Sequence, residues 1–172
     1  MRECVSLPKN LSIMEKIYGA TERTDGIQQT GRRRWEVFYG FGEDEGGKYC
    51  YRQTFDYRPA VNELHQLIID TINADTDEKI LKGFVWQGIR VWLSSENQNN
   101  FKAAYDLAVQ SEGATLPVKF KLGEDASGGA IYHTFEGMAD FTDFYTHAVS
   151  YINQCLNDGW QEKDNLDMEP YR

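Results

Sequence analysis

The residues whose types could carry proton transfer or metal chemistry are three histidines, His65, His133 and His147, set among abundant carboxylates. The histidines fall on separate segments. His65 has Ile68 and Ile69 as its helical neighbours, so no second ligand stands four residues away, and none of the three has a partner at metal spacing. They read as surface or boundary histidines. Asp75-Thr76-Asp77-Glu78 opens like a calcium loop, but Ile80 holds the sixth position, where such a loop needs glycine. Trp86 holds the twelfth, where it needs a bidentate glutamate. Acids complementing the dipole at a helix N-terminus explain the run instead. Gly40-Phe41-Gly42 leads into acidic residues with no Gly-Lys-Ser/Thr behind it, so it reads as a turn rather than a phosphate cradle. Cys4, Cys50 and Cys155 are widely spaced and odd in number, which indicates neither a zinc site nor a disulfide framework. There is no Gly-x-Ser-x-Gly elbow. The residues therefore imply no catalytic constellation, no cofactor and no metal. The one chemistry their spacing leaves open is glycoside hydrolysis, which needs two carboxylates about 5–10 Å apart in a cleft.

Binding is the remaining use for polar and aromatic residues. Arg32-Arg33-Arg34 followed by Trp35 is the one basic cluster, suited to acidic groups on a protein partner or on this chain's own acidic part. A net charge of −9 argues against general nucleic-acid binding, which relies on clustered Lys and Arg. The charge is uneven. Residues 1–54 hold nine of the eighteen Lys and Arg and eight of the twenty-seven Asp and Glu, leaving nine and nineteen for the rest. Trp86 and Trp92 share one short hairpin; both suit a core, and one could instead anchor a neighbouring subunit. The candidate partner-binding residues are Arg23, Arg32, Arg33, Arg34, Trp35 and Trp92.

The elements that would position them follow from periodicity. A hydrophobic fraction of 41% across 172 residues suffices for a core, and no apolar run approaches the ~18 residues of a membrane-spanning helix. The N-terminus shows no stretch of signal-peptide length, so a cytoplasmic protein, or one exported without a cleaved signal, is expected. Residues 1–31 are poor in hydrophobic positions and rich in turn formers, and are expected to be flexible or ordered by a partner. Trp35–Tyr39 and Lys48–Arg52 alternate as a hairpin. A helix opens at Pro59 with Val61, Leu64, Ile68 and Ile72 as its stripe. A short second helix is expected from Asp75 through Lys82, ended by Gly83. Phe84–Trp86 and Ile89–Leu93 form a hairpin about Gln87-Gly88. Ser95 with Gln98 makes a capping box for a helix burying Phe101, Ala104, Tyr105 and Ala108. Leu116–Leu122 and Ala130–Phe135 are strands. A last helix runs through Phe141, Phe144, Tyr145, Ala148, Ile152, Cys155 and Leu156, with Gly159 as its C-terminal cap. The order predicts an α+β fold: antiparallel hairpins with three to four helices packed on one face, and an extended N-terminal arm.

Two stretches carry a resemblance. Ile17–Thr30, running into Arg34-Trp35-Glu36-Val37-Phe38-Tyr39-Gly40-Phe41-Gly42, resembles small proteins of phages and prophages of gut Bacteroides-type bacteria. Ile80–Gly88 through Leu93-Ser94-Ser95-Glu96-Asn97-Gln98-Asn99-Asn100, then the aromatic helix and Gly159-Trp160, looks like an uncharacterised domain of phage tail and tail-fibre-associated proteins. The resemblance implies a non-enzymatic structural protein of the tail or portal–tail region. In the virion it would contact other tail or fibre subunits, in several copies or as a homo-oligomer, with no nucleic acid, membrane or small-molecule substrate. The alternatives are a tail-fibre assembly chaperone absent from the mature particle and a glycan hydrolase. Residues 1–54 are expected to form a partner-docking arm and hairpin, and 55–172 the globular domain.

Overall fold

A computed structural model of the chain describes residues 13–20 and 24–172. Strands β1 (Glu15–Tyr18), β2 (Gly26–Gly31), β3 (Arg34–Asp44) and β4 (Gly47–Phe55) form one antiparallel sheet in the order β1-β4-β3-β2. The hairpin legible around Trp35 is its centre. Alternation along β3 turns Val37 and Tyr39 to the same side. There they join Met14, Phe55 and the stripe Leu64, Leu67, Ile68 and Ile72 of helix α1 (Val61–Gly83) in one core. Each fully buried aliphatic side chain there contributes ~1.5–3 kcal/mol. The C-terminus completes this core: in the 3-10 turn Glu169–Tyr171, Tyr171 is buried and its hydroxyl donates to the Phe38 carbonyl at 2.9 Å.

The described part of residues 1–31 pairs with the hairpin within the chain. β1 and β2 flank the hairpin as its two edges. A hydrophobic count missed them because an edge strand is held mainly by backbone hydrogen bonds to its neighbour, with one or two side chains as pins. Met14 and Ile27 are those pins, and the Met14 N–H also donates to the buried Thr71 hydroxyl at 2.9 Å.

Helix α1 runs unbroken to Gly83, so no second helix starts at Asp75. Asp75 and Glu78 lie mid-helix, where their partners are Lys79 and Lys82 one turn on, at 2.6 and 2.9 Å. By type these acids suit a helix N-terminus. Pairs four residues apart support a continuing helix equally well.

After α1 come β5 (Val85–Trp86) and β6 (Ile89–Arg90), a two-stranded hairpin. Its Gln87-Gly88 turn has φ 48° and 79°, the double positive φ that matches strand twist. Helix α2 (Ser95–Gln110), a second hairpin of β7 (Val118–Glu124) and β8 (Ala130–Phe135), and helix α3 (Met138–Asp164) follow. The cap of α2 is Ser94, not Ser95: its hydroxyl accepts from Asn97 N at 3.2 Å. Only Ser95 has a glutamine three residues on, but Gln98 donates instead to the Leu93 carbonyl at 2.6 Å. Helix α3 continues past Gly159, which is no cap. A Cβ on Gly159 would stand 2.5 Å from Thr76 Oγ1, so the glycine permits a close approach to α1. Phe84, Trp86, Val91, Leu93, Phe101, Leu122, Phe135, Phe141 and Phe144 form the second core.

The chain divides into two compact units. One takes the described residues up to Ala74 together with Glu162–Arg172; the other is Asp75–Gln161. The division falls elsewhere than residues 54 and 55, and the hairpin buries its inner face on α1 and Tyr171. Among the described residues no helix is long and apolar enough to cross a membrane.

Candidate interaction surface

Within the unit Asp75–Gln161, alternation in three neighbouring extended segments sends one set of side chains into the core and the other to solvent. Val91 and Leu93 are buried, whereas Trp92 between them is 42% exposed. Arg90, two residues back, is exposed on the same side, and Val85 directly opposite it on β5 is also exposed. The Trp92 segment extends the β7–β8 hairpin, since Trp92 N–H donates to the Leu122 carbonyl at 2.9 Å. On β7, Lys119 and Lys121 face solvent and Leu122 the core. On β8, Tyr132 pairs with Lys121 and is 56% exposed. The outer side of these segments thus carries Trp92, Lys121 and Tyr132 in a row, with Arg90, Val85 and Lys119 beside them.

The row is ordered by its own contacts. Lys121 Nζ lies 5.8 Å from the Trp92 ring centre and Lys119 Nζ 4.6 Å from that of Tyr132. Each such contact is worth ~0.5–1 kcal/mol at an exposed site. Lys121 also reaches Glu124 at 2.8 Å, and this bond, ahead of the neighbouring charge, raises the ammonium pKa. The backbone beneath Trp92 is fixed from the next helix: Asn97 Nδ2 donates to the Trp92 carbonyl at 2.8 Å and Gln98 Nε2 to the Leu93 carbonyl at 2.6 Å. The polar Ser-Ser-Glu-Asn-Gln stretch therefore does more than start a helix; it also holds the tryptophan's loop in place. Below the row, Trp86 is buried and donates to Asp143 Oδ2 at 2.9 Å, so the two tryptophans of the hairpin have opposite roles.

Arg90, Lys119 and Lys121 are three of only six Lys and Arg between Asp75 and Gln161, against twelve Asp and Glu. A concentration of cations with two exposed aromatic rings, in an otherwise acidic unit, is suited to contact an acidic surface.

The other expected site residues distribute as follows. Arg23 lies outside the described residues. Arg32 and Arg33 are the exposed turn between β2 and β3. Arg34 pairs with Glu36 at 3.0 Å. Trp35 is half-buried against the core, with the Arg58 guanidinium 5.4 Å from its ring centre, so it is largely spent on packing. Trp92 belongs to the other unit and to the row described above. Arg90, Lys119, Lys121 and Tyr132 escaped the sequence reading, although their alternation with Val91, Phe120 and Leu122 was the available signal.

The acid–base groups are engaged locally. His133 Nε2 is 2.8 Å from Asp140 Oδ2, and His147 Nδ1 is 3.3 Å from Asp143 Oδ1. Among the described residues, no three His, Cys, Asp or Glu side chains converge to hold a metal. Cys50 and Cys155 are buried. Asp25 accepts from Gly40 N at 2.9 Å, and Glu162 Oε1 accepts from the Tyr39 hydroxyl at 2.5 Å. Burial first, then the charge of Glu162, raises the Asp25 pKa, while backbone N–H bonds from Gly40 and Phe41 oppose the shift.

Residues 63–171 match the model of a protein family described as a domain of unknown function, DUF4376. No curated protein and no solved structure matches the chain.

Proposed function

We propose that this chain, which belongs to the DUF4376 family, is a non-enzymatic structural protein of the tail or portal–tail region of a bacteriophage particle. It would bind acidic surfaces of neighbouring tail or fibre subunits through the Trp92–Lys121–Tyr132 row. The resemblance of Ile17–Gly42 and of Ile80–Asn100 to phage proteins supports the setting. The observation that carries the binding role is the row itself: two exposed aromatic rings and three cations on a fixed backbone in an acidic unit. Tryptophan, tyrosine and arginine are the side chains that dominate protein–protein hot spots. Their exposure here adds little to the fold and is available to a partner. The arginine turn at Arg32 and Arg33 is a second contact candidate.

Mass spectrometry of purified particles tests the setting: the protein is expected in mature virions in stoichiometric amounts. Its absence there, with co-purification alongside a fibre protein from infected cells, would replace this reading by an assembly chaperone. The row is tested by cross-linking in particles, with Lys119 and Lys121 expected to link to an acidic neighbour.

A further inference from the structure

The two edges of the four-stranded sheet differ in a way that bears on self-association. β1 carries Glu15 and Lys16, charges of the kind that keep a sheet edge from pairing with another chain. β2, at the opposite edge, reads Gly-Ile-Gln-Gln-Thr-Gly, with no charge and no proline. Gln28, Gln29 and Thr30 are exposed, and a groove of about 630 Å³ runs beside Thr24–Gln28. No described strand pairs with the outer side of β2. The ends of this strand also differ in charge. Arg32 and Arg33 follow it, both exposed and without an ion pair among the described residues. Asp25 precedes it, half-buried, its carboxylate accepting from the Gly40 N–H at 2.9 Å.

We propose that the outer edge of β2 pairs antiparallel with β2 of a second copy of this chain, joining two four-stranded sheets about a two-fold axis. The antiparallel direction places the Arg32-Arg33 turn of each copy beside the Asp25 end of the other, so both charge imbalances are met at once. A parallel pairing would set like charge beside like. Gln28 and Gln29 then lie near the axis, where amides that both donate and accept can satisfy one another. Pro170 of the C-terminal turn lies against Gly26, so the pairing is centred on the uncharged residues beyond it. A six-residue strand buries less than the ~800 Å² per partner of a standard interface, so the dimer is weak, concentration-dependent and salt-sensitive. This inference is independent of the Trp92 row, which belongs to the other unit.

Sedimentation of the full chain across a wide concentration range tests it. A dimer that grows with concentration and weakens with salt is expected. Gln28→Lys with Gln29→Lys, which sets like charges opposite each other, should raise the dimer dissociation constant by ~tenfold or more, equivalent to ~1.4 kcal/mol. Both positions are exposed, so the thermal melt at low concentration should be unchanged. In a Cys4→Ser background, Gln28→Cys mixed with Gln29→Cys should oxidise to an intersubunit disulfide, since these positions lie opposite each other on one face, and Glu15→Cys on the guarded edge should not. A monomer at every concentration overturns the proposal. So does a dimer indifferent to the two lysines, or one that cross-links equally at Glu15.

Discussion

Replacing Gly159 by alanine discriminates sharply between two accounts of helix α3. In an unobstructed helix interior, Gly→Ala gains ~1 kcal/mol by helix propensity. Here the new Cβ would stand 2.5 Å from Thr76 Oγ1 and 3.5 Å from Thr76 Cβ and Cγ2. Threonine is branched at Cβ and cannot simply swing its end away, so the helices must part. Overpacking of this kind costs ~1–3 kcal/mol, and Gly159→Ala is expected to destabilise by up to ~2 kcal/mol net. At ~2–4 °C per kcal/mol for a chain of this size, the melting temperature falls by several degrees. Removing the obstruction reverses the sign: in a Thr76→Ala background, Gly159→Ala should be neutral or stabilising. The four variants form a double-mutant cycle whose coupling term should be ~1–3 kcal/mol, read by urea unfolding of the purified chain. Any contact that Thr76 makes elsewhere cancels in the cycle. If Gly159→Ala is harmless beside Thr76, or equally harmful without it, the close-approach account is wrong. A capping glycine would give the second result.

Three further outcomes are expected. Ser94→Ala should cost ~1 kcal/mol through loss of the α2 cap, whereas Ser95→Ala should stay near neutral; equal effects in thermal melts would contradict the assigned cap. Burial first raises the Tyr171 pKa, with the charges of Asp25 and Asp167 adding to it, and burial then the Glu162 hydrogen bond does the same for Tyr39. The folded protein keeps these protons where the unfolded chain releases them, so this stability is complete below pH ~10 and falls as pH rises beyond it. Tyr171→Phe should lose ~1 kcal/mol at neutral pH with the bond to Phe38 and flatten the alkaline decline, as followed by tyrosine absorbance and circular dichroism; an unchanged decline would refute the assignment. Lys119→Glu with Lys121→Glu should leave the fold intact, the melt lowered only by the loss of the two ring contacts and the Glu124 pair. The same pair should abolish cross-linking to acidic neighbours in particles, and retained cross-linking would remove the row from the interface.

Much of the fold was legible because it rests on local periodicity. The Leu64–Ile72 stripe, the Phe141–Leu156 stripe, the Gln87-Gly88 turn and the alternation of Ala130–Phe135 each repeat a spacing that one element alone dictates. What was not legible depends on a partner distant in sequence. Nothing within Asp75–Glu78 distinguishes a helix start from a helix interior. Nothing around Gly159 tells that Thr76 will lie against it. The candidate row was half visible: Trp92 was singled out by type, but the Lys121 and Tyr132 beside it are 29 and 40 residues further along the chain.

The sequence by itself determined that this is a mixed α and β chain with two strong amphipathic helices, aromatic hairpins and an acidic surplus. These follow from residue type and spacing, and backbone geometry converts spacing directly into a buried face. Only the tertiary structure decided that Trp86 is core while Trp92 is surface, and that the polar strand Gly26–Gly31 is a sheet edge. Exposure belongs to no residue alone: it depends on which other segment packs against it, and those segments come from elsewhere in the chain.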